Sequence, residues 1–272
     1  MKVSVSTAFF GRINPELVHL YSEARIDAME TAAPNAFSLE KYDFKGVADE
    51  CRACGVEWRS AHLPFGSEVA LAHLDKKIRE SSLEIDKKVV DLLAGLGVGR
   101  FVIHPSTEPN EDADRPELLS YCEEALTRLC EFARPYGVKI MMENLPRTCL
   151  CNTSAEAIDM LRRVPELYHC FDMNHFLPWK GARPDNVEHI YAVKREVGDR
   201  LESTHASDYD FIDERHQFPM DGDNDWAGIM RALRETGYKG YFNYEIGYAH
   251  GAGEGKTLCD VRENCDKLMS LL

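Results

Sequence analysis

The sequence contains no apolar run near the ~18 residues that a membrane-spanning helix needs, so no transmembrane segment is expected. Its start, MKVSVSTAFFGRINPE, lacks the long apolar core and small-residue cleavage site of a secretory signal. An even, closely spaced cysteine set is also missing. Nine cysteines scattered over 272 residues do not form a disulfide framework and read as reduced thiols of a cytoplasmic protein. Cys51-x-x-Cys54 and Cys149-x-Cys151 have no second pair at zinc-site spacing, and the structural reading is preferred for both. Positive charge is scarce: 32 Lys and Arg against 46 Asp and Glu leave a net charge of −14. That balance repels phosphate backbones and counts against a nucleic-acid partner. A glycine-rich phosphate loop is absent too, since FFGRINPE after the first candidate strand holds one glycine.

What is present is a regular alternation. Candidate strands begin at Lys2 (KVSVSTAF), Arg25 (RIDAMETA), Val56 (VEWRSAHL), Arg100 (RFVIHPS), Val138 (VKIMMENL), Leu167 (LYHCFDMNH), Arg200 (RLESTHAS) and Gly240 (GYFNYEIG). Helical spacing separates them. One pattern runs through Leu71, Leu74, Ile78, Ile85, Val89, Leu92 and Leu96, another through Leu118, Cys122, Ala125, Leu129 and Phe132, and a last through Leu258, Val261, Cys265, Leu268 and Leu272. Asp225 is placed to cap WAGIMRALRE, and Gly237 to end it. Eight strand–helix units with no linker predict a single-domain α/β fold over residues 1–272, the (β/α)₈ TIM barrel.

Four of these strands end on a metal-binding side chain: Glu143, Asp172, His205 and Glu245. Three carboxylates and an imidazole suit Mn²⁺, Mg²⁺, Zn²⁺ or Co²⁺, and only a fold that converges strand ends brings them together. Strand parity turns Glu143 with Met141, Asp172 with Cys170, His205 with Ser203, and Glu245 with Asn243 toward the barrel axis. The pattern is weak in the seventh strand, where the outward neighbour is Thr204. An ionised carboxylate inside an apolar strand costs several kcal/mol unless a cation pairs with it. His62, His104, His175, Glu214 and His216 fall at the same ends of the chain units. His62 and His104 read equally as substrate contacts or as part of a core polar network. His19, His73, His169, His189 and His250 read as structural hydrogen-bonders. Trp179 is the best-placed aromatic for a sugar face, with packing an equal reading. Arg147, Lys180, Arg183 and Arg215 are candidates for a phosphate or carboxylate, although solvated surface charge is their ordinary fate.

The ordered motifs IHPS (His104), MMEN (Glu143), FDMNH (Asp172, His175), THASD (His205), ERH through FPMDGDNDW (Glu214 to Trp226) and YEIG (Glu245) carry a resemblance that spans nearly the whole chain. The sequence resembles the xylose-isomerase-like TIM barrel superfamily, which holds sugar and sugar-phosphate isomerases and epimerases together with endonuclease IV-type apurinic endonucleases. The resemblance implies one divalent metal held by Glu143, Asp172, His205 and Glu245. It implies that Glu143 and Glu245 double as the acid–base pair of a proton transfer through a metal-bound enediolate, that His175 binds a substrate oxygen with Glu214 and His216 beside it, and that His62 and His104 either touch substrate or support the residues that do. Ketohexose 3-epimerases carry a further glutamate shortly after the fifth-strand ligand, whereas NLPRTCLC has no carboxylate, which separates this chain from that substrate class.

The expected activity is therefore a metal-dependent isomerase or epimerase of a sugar, sugar phosphate or inosose-like polyol. A keto-inositol dehydratase would use the same site. The alternative from the same resemblance is a zinc phosphodiesterase on abasic DNA with nine ligands: His62, His104, Glu143, Asp172, His175, His205, Glu214, His216 and Glu245. The negative charge opposes it, and the segments after strands two and three read as short or helical rather than as DNA-penetrating loops. A barrel that binds without turnover is the third reading, countered by the intact ligand set. A homo-oligomer is compatible with the sequence, which does not specify one.

Overall fold

In the computed structural model, which describes residues 1–272, eight parallel strands alternate with eight helices. The strands are β1 (Val3–Ser6), β2 (Ala28–Thr31), β3 (Glu57–His62), β4 (Arg100–Ile103), β5 (Lys139–Glu143), β6 (Tyr168–Asp172), β7 (Leu201–His205) and β8 (Phe242–Tyr244). Each precedes its helix in turn: α1 (Leu17–Glu23), α2 (Phe44–Cys54), α3 (Lys76–Ala94), α4 (Arg115–Ala133), α5 (Ser154–Arg163), α6 (Asn186–Val197), α7 (Trp226–Glu235) and α8 (Leu258–Met269). The sheet runs continuously from β7 through β1 to β8. Parallel bridges Ser203–Tyr241 and Ala206–Tyr244 close the ring between β7 and β8. The predicted (β/α)₈ barrel is the observed fold. No helix is long and apolar enough to cross a membrane.

Side chains sort by strand parity as the alternation requires. Ile140, Met142, Phe171, Phe242 and Tyr244 belong to the large core under the helices, while Met141, Val102 and Cys170 form a small separate cluster. Thr204 is fully buried and sits at the β7–β8 seam, where its hydroxyl accepts a hydrogen bond from the Asn243 backbone N–H (3.1 Å). That location accounts for the weak parity of the seventh strand. Two registers shift: Met29 pairs with Trp58 but Glu30 with Ser60, and His169 pairs with Leu201 but Cys170 with Ser203. The extra residues are Arg59 and Glu202. Bulges of this kind re-aim the side chains that follow them, here Ser60 and His62, and Ser203 and His205. Arg59 and Glu202 themselves meet near the start of the strands (3.3 Å), where Glu202 also binds Arg100 and Lys139, each at 2.6 Å.

Asp225 accepts from the Gly228 N–H (2.9 Å) as the N-cap of α7, and Gly237 follows that helix at φ 69°. One helix differs from its expected course. Leu71 and Leu74 precede α3, which starts only at Lys76 behind its cap Asp75, and Leu92 is exposed. The buried stripe is Ser82, Leu83, Asp86, Val89, Val90 and Leu93, which shares only Val89 with the expected spacing and leaves Ile78 and Ile85 half-buried at its edge. Residues 63–75 consequently form a long irregular segment at the top of the barrel, not the short or helical connection expected.

Candidate metal centre and active site

Glu143, Asp172 and His205 are the last residues of β5, β6 and β7, and Glu245 follows β8 by one. One ligand atom from each lies within 4.8 Å of every other. His205 Nδ1 is the hub, 2.9 Å from both Glu143 Oε1 and Glu245 Oε2 and 3.9 Å from Asp172 Oδ2. Two local devices fix the cluster. The Asn144 side chain donates Nδ2–H to the Asp172 carbonyl (2.9 Å) and accepts the Asp172 backbone N–H at Oδ1 (2.8 Å), tying the ends of β5 and β6. Asp208 accepts from the backbone N–H groups of Tyr209, Met220 and Asn224 and from Trp226 Nε1, which holds the long connection after β7 in place.

The histidines expected at the strand ends surround this cluster. His62, which closes β3, donates Nδ1–H to its neighbour's carbonyl at Leu63 (2.8 Å) and aims Nε2 at Glu143 Oε2 (3.1 Å). His104, one residue past β4, brings Nε2 to the same oxygen (3.2 Å). His175 donates Nδ1–H to the Asn144 carbonyl (2.7 Å), and its Nε2 and that of His216 both face Glu214 Oε1, at 3.3 and 3.2 Å. His216 and Arg147 both hold left-handed backbone, φ 47° and 51°, a strain that persists only where surrounding structure enforces it. A cavity of about 420 Å³ opens over the cluster, lined by Glu143, Glu245, Glu214, Arg147 and the four histidines among others.

Arg147 does not present a free cation to that cavity. Its guanidinium engages both oxygens of Glu108 and also Glu214, spanning the connections after β4, β5 and β7. Lys180 pairs with Asp213, Arg183 lies over the Phe211 ring and Arg215 pairs with Asp210, and none of the three lines the cavity. Trp179 stands apart as well, 66% exposed on the connection after β6 and outside the cavity lining. The stretch after Glu143 holds no carboxylate, but Glu108 reaches the cavity from the preceding connection, after β4.

The charge states follow from crowding. Burial pushes the Glu143 carboxyl up, but His205, His104 and His62 together hold it well below the usual carboxylate range. Glu245 is likewise opposed by burial and brought down to about 2, chiefly by His205. For Asp172 burial prevails, and its pKa rises to about 6. Burial disfavours the imidazoliums of His175 and His216, yet Asp172 and Glu214 lift them to about 9 and about 10. Of the histidines around the cluster His104 alone is lowered, because burial outweighs its contact with Glu143. Three converging carboxylates thus demand positive charge. A divalent ion fits that demand: Asp172 Oδ2 is buried without a hydrogen-bond partner. At metal–ligand distances of about 2.0–2.3 Å, ligand atoms around one ion lie at most about 4.5 Å apart, close to the spacing found here.

One site residue escaped the sequence reading. Glu30, on β2, is fully buried and contacts His205, Ser60 and Asn243. RIDAMETA carries the same signal as the strands of Glu143 and Glu245, a carboxylate near the end of an apolar strand.

The family described as xylose isomerase-like TIM barrel matches residues 18–269. A fructoselysine 3-epimerase of Shigella flexneri is 26% identical over 182 residues, 63% of this chain and 61% of that protein. An inosose isomerase of Bacillus subtilis strain 168 is 24% identical over 193 residues, 68% and 66% of the two chains. The match thus spans about three fifths of the length of that epimerase. Among solved structures, a D-tagatose 3-epimerase-like protein superposes with a TM-score of 0.83 at 20% identity, covering 100% of this chain and 98% of its own. A D-psicose 3-epimerase gives 0.79 at 17%, covering 99% and 97%. Likenesses at that identity establish the fold.

Proposed function

This chain belongs to the xylose isomerase-like TIM barrel family, and from that premise we propose that it is a divalent-metal-dependent isomerase or epimerase of a sugar or polyol. The observation that carries the reading is the convergence of Glu143, Asp172, His205 and Glu245 at the mouth of the barrel, with ligand atoms within 4.8 Å of one another. The fructoselysine epimerase and inosose isomerase relatives support the reaction class.

Glu143, Asp172, His205 and Glu245 would hold the ion. When bound, a divalent cation supplies Lewis acidity that polarises a carbonyl and acidifies the adjoining C–H. Glu143 and Glu245 are both held ionised and reach the cluster from β5 and β8, separated by His205. One carboxylate takes the proton from the carbon beside the carbonyl, leaving the electron pair in an enediolate of the substrate, and the other takes up a proton from water in the open mouth. For epimerisation the second delivers that proton to the opposite face and the first releases its own to water; for isomerisation the first returns its proton to the neighbouring carbon while the hydroxyl proton passes to the former carbonyl oxygen. General acid–base help of this kind contributes about 10²–10⁴ in rate. His175 keeps its Nδ1–H on the Asn144 carbonyl, so Nε2 is the atom it offers to a substrate oxygen. His62 is oriented in the same manner by Leu63.

The mouth also selects on charge. Its lining has four glutamates (Glu108, Glu143, Glu214, Glu245), and the cations set against them, Arg147 and the imidazoliums of His175 and His216, are already engaged by Glu108 and Glu214. This supports a neutral substrate over a phosphate ester. The test is elemental analysis of untagged protein followed by a panel of ketoses and inososes in D₂O. About one ion per chain and solvent deuterium at the carbon next to the carbonyl are expected. Product that forms with no deuterium incorporation would count against the enediolate.

A second reading has its own observation. Glu143 Oε2 is flanked by His62 and His104 Nε2, and Glu214 Oε1 by His175 and His216 Nε2, all at 3.1–3.3 Å. With Asp172, His205 and Glu245 these six residues make up the nine candidate ligands of a zinc phosphodiesterase. About three zinc ions per chain, with cleavage of abasic DNA, would select it.

A further inference from the structure

We propose that Glu30 is a positioning residue that fixes which ring nitrogen of His205 faces the metal cluster. The inference rests on the reading of Glu143, Asp172, His205 and Glu245 as a metal site.

Both oxygens of Glu30 are engaged by neighbouring strands. Oε1 lies 2.9 Å from His205 Nε2 on β7 and accepts from Asn243 Nδ2 on β8 (3.1 Å). Oε2 accepts the Ser60 hydroxyl on β3 (2.7 Å). The side chain is 0% exposed and makes no ion pair with Lys or Arg, so its position is set by three strands while its one potentially cationic partner is His205.

A neutral imidazole carries one N–H and one lone pair, and the group that meets one nitrogen decides what the other presents. With only carboxylate and amide partners at that end, a lone pair on Nε2 would oppose Glu30 Oε1 at hydrogen-bond distance. The favourable tautomer places the proton on Nε2, donated to Glu30. Nδ1 then turns its lone pair toward Glu143, Asp172 and Glu245, the side on which those three carboxylates converge. A carboxylate behind a ligating histidine also raises the basicity of the ligating nitrogen, and removing such a partner typically costs about 10–100-fold in metal affinity.

The position of Glu30 explains why β2 contributes to the site without reaching the cavity, whose lining does not include it. Glu30 touches neither the substrate space nor the cluster's carboxylates. It acts through His205.

The experiment is Mn²⁺ affinity by chelator competition on wild type and Glu30→Gln, with thermal unfolding of the metal-free proteins alongside. Glu30→Gln is expected to raise the Kd about 10–100-fold while unfolding remains cooperative. In the zinc-loaded wild type, long-range ¹⁵N–¹H correlation should show His205 protonated at Nε2. An unchanged Kd in Glu30→Gln, or a proton on Nδ1, overturns the proposal. Should Glu30→Gln not fold, Glu30→Asp decides instead, because it keeps the charge but withdraws it by one methylene and should also weaken binding. A wild type that binds no divalent ion would overturn the metal reading itself, a result distinct from either.

Discussion

Replacing Glu245 by Gln separates the metal-binding and proton-transfer roles assigned to this residue. The variant keeps the shape of the side chain and its ability to accept one hydrogen bond, but removes one of three anionic ligands and the charge 2.9 Å from His205 Nδ1. Wild type at a free metal concentration of 100 Kd gains about 2.7 kcal/mol of stability from binding. If the variant binds 100-fold more weakly, the same metal contributes only RT ln 2, about 0.4 kcal/mol. The difference of about 2.3 kcal/mol corresponds to roughly 5–9 °C in metal-dependent Tm for a chain of this size. Differential scanning calorimetry with and without Mn²⁺, on both proteins, reads it directly. At metal concentrations that saturate both proteins, turnover should still be lower by about 10²–10⁴, because the amide cannot take up a proton. Equal metal stabilisation of the two proteins would refute the ligand assignment. Wild-type turnover by Glu245→Gln on any identified substrate would refute the proton-transfer role.

Asp86 on α3 is fully buried, neither oxygen has a partner, and burial raises its carboxyl well above the ordinary value. The folded state therefore binds the proton more tightly than the unfolded one, and stability is lost as pH rises from about 4 through the raised folded value. Asp86→Asn should be more stable than wild type at pH 7 by about 1–3 kcal/mol in urea unfolding, with the gap closing near pH 4; a gap independent of pH would contradict this. Arg147→Ala frees Glu108 and Glu214 and should change stability by less than about 1 kcal/mol, since its ion pairs are partly solvated. Steady-state kinetics should show KM rising more than kcat falls, because the substitution loosens the mouth and leaves Glu143 and Glu245 in place. His62→Ala with His104→Ala should leave metal content at about one ion per chain under the isomerase reading; a drop from about three to two would favour the phosphodiesterase.

The sequence made the barrel legible because every unit repeats the same physical pattern, an apolar strand, a turn residue and an amphipathic helix. It exposed the four metal-cluster residues because a charged side chain ending an apolar strand is conspicuous. What it concealed depends on contacts between distant segments. Arg147 resembled a free anion receptor until Glu108 and Glu214 closed on it from two other connections. Trp179 shared a connection with site residues but points its ring to solvent. The start of α3 was misplaced because Leu71 and Leu74 continue an apolar spacing that Asp75 interrupts as N-cap. Glu30 was overlooked although its local signal equals that of Glu143, since nothing within RIDAMETA announces His205 as its partner.

Charge also bears on what enters the mouth. Glu108, Glu143, Glu214 and Glu245 line it with one paired arginine, in a chain of net charge −14. The cations of the lining, Arg147 and the imidazoliums of His175 and His216, are each already paired with Glu108 or Glu214, so a phosphodiester or sugar phosphate finds no unpaired cation there to hold it. A neutral polyol needs no such partner and offers hydroxyls to His62 and His175 Nε2, the ring nitrogens that face the cavity side while Nδ1 is bound to backbone. The reading predicts that a neutral ketose or inosose competes for the loaded site, while its phosphate ester binds more weakly and loses ground further as salt is lowered and the repulsion grows. Isothermal titration at two ionic strengths decides it. Tighter binding of the phosphate ester at low salt would mean that the cations in the mouth outweigh its glutamates, and would return the phosphorylated substrates, and with them abasic DNA, to first place.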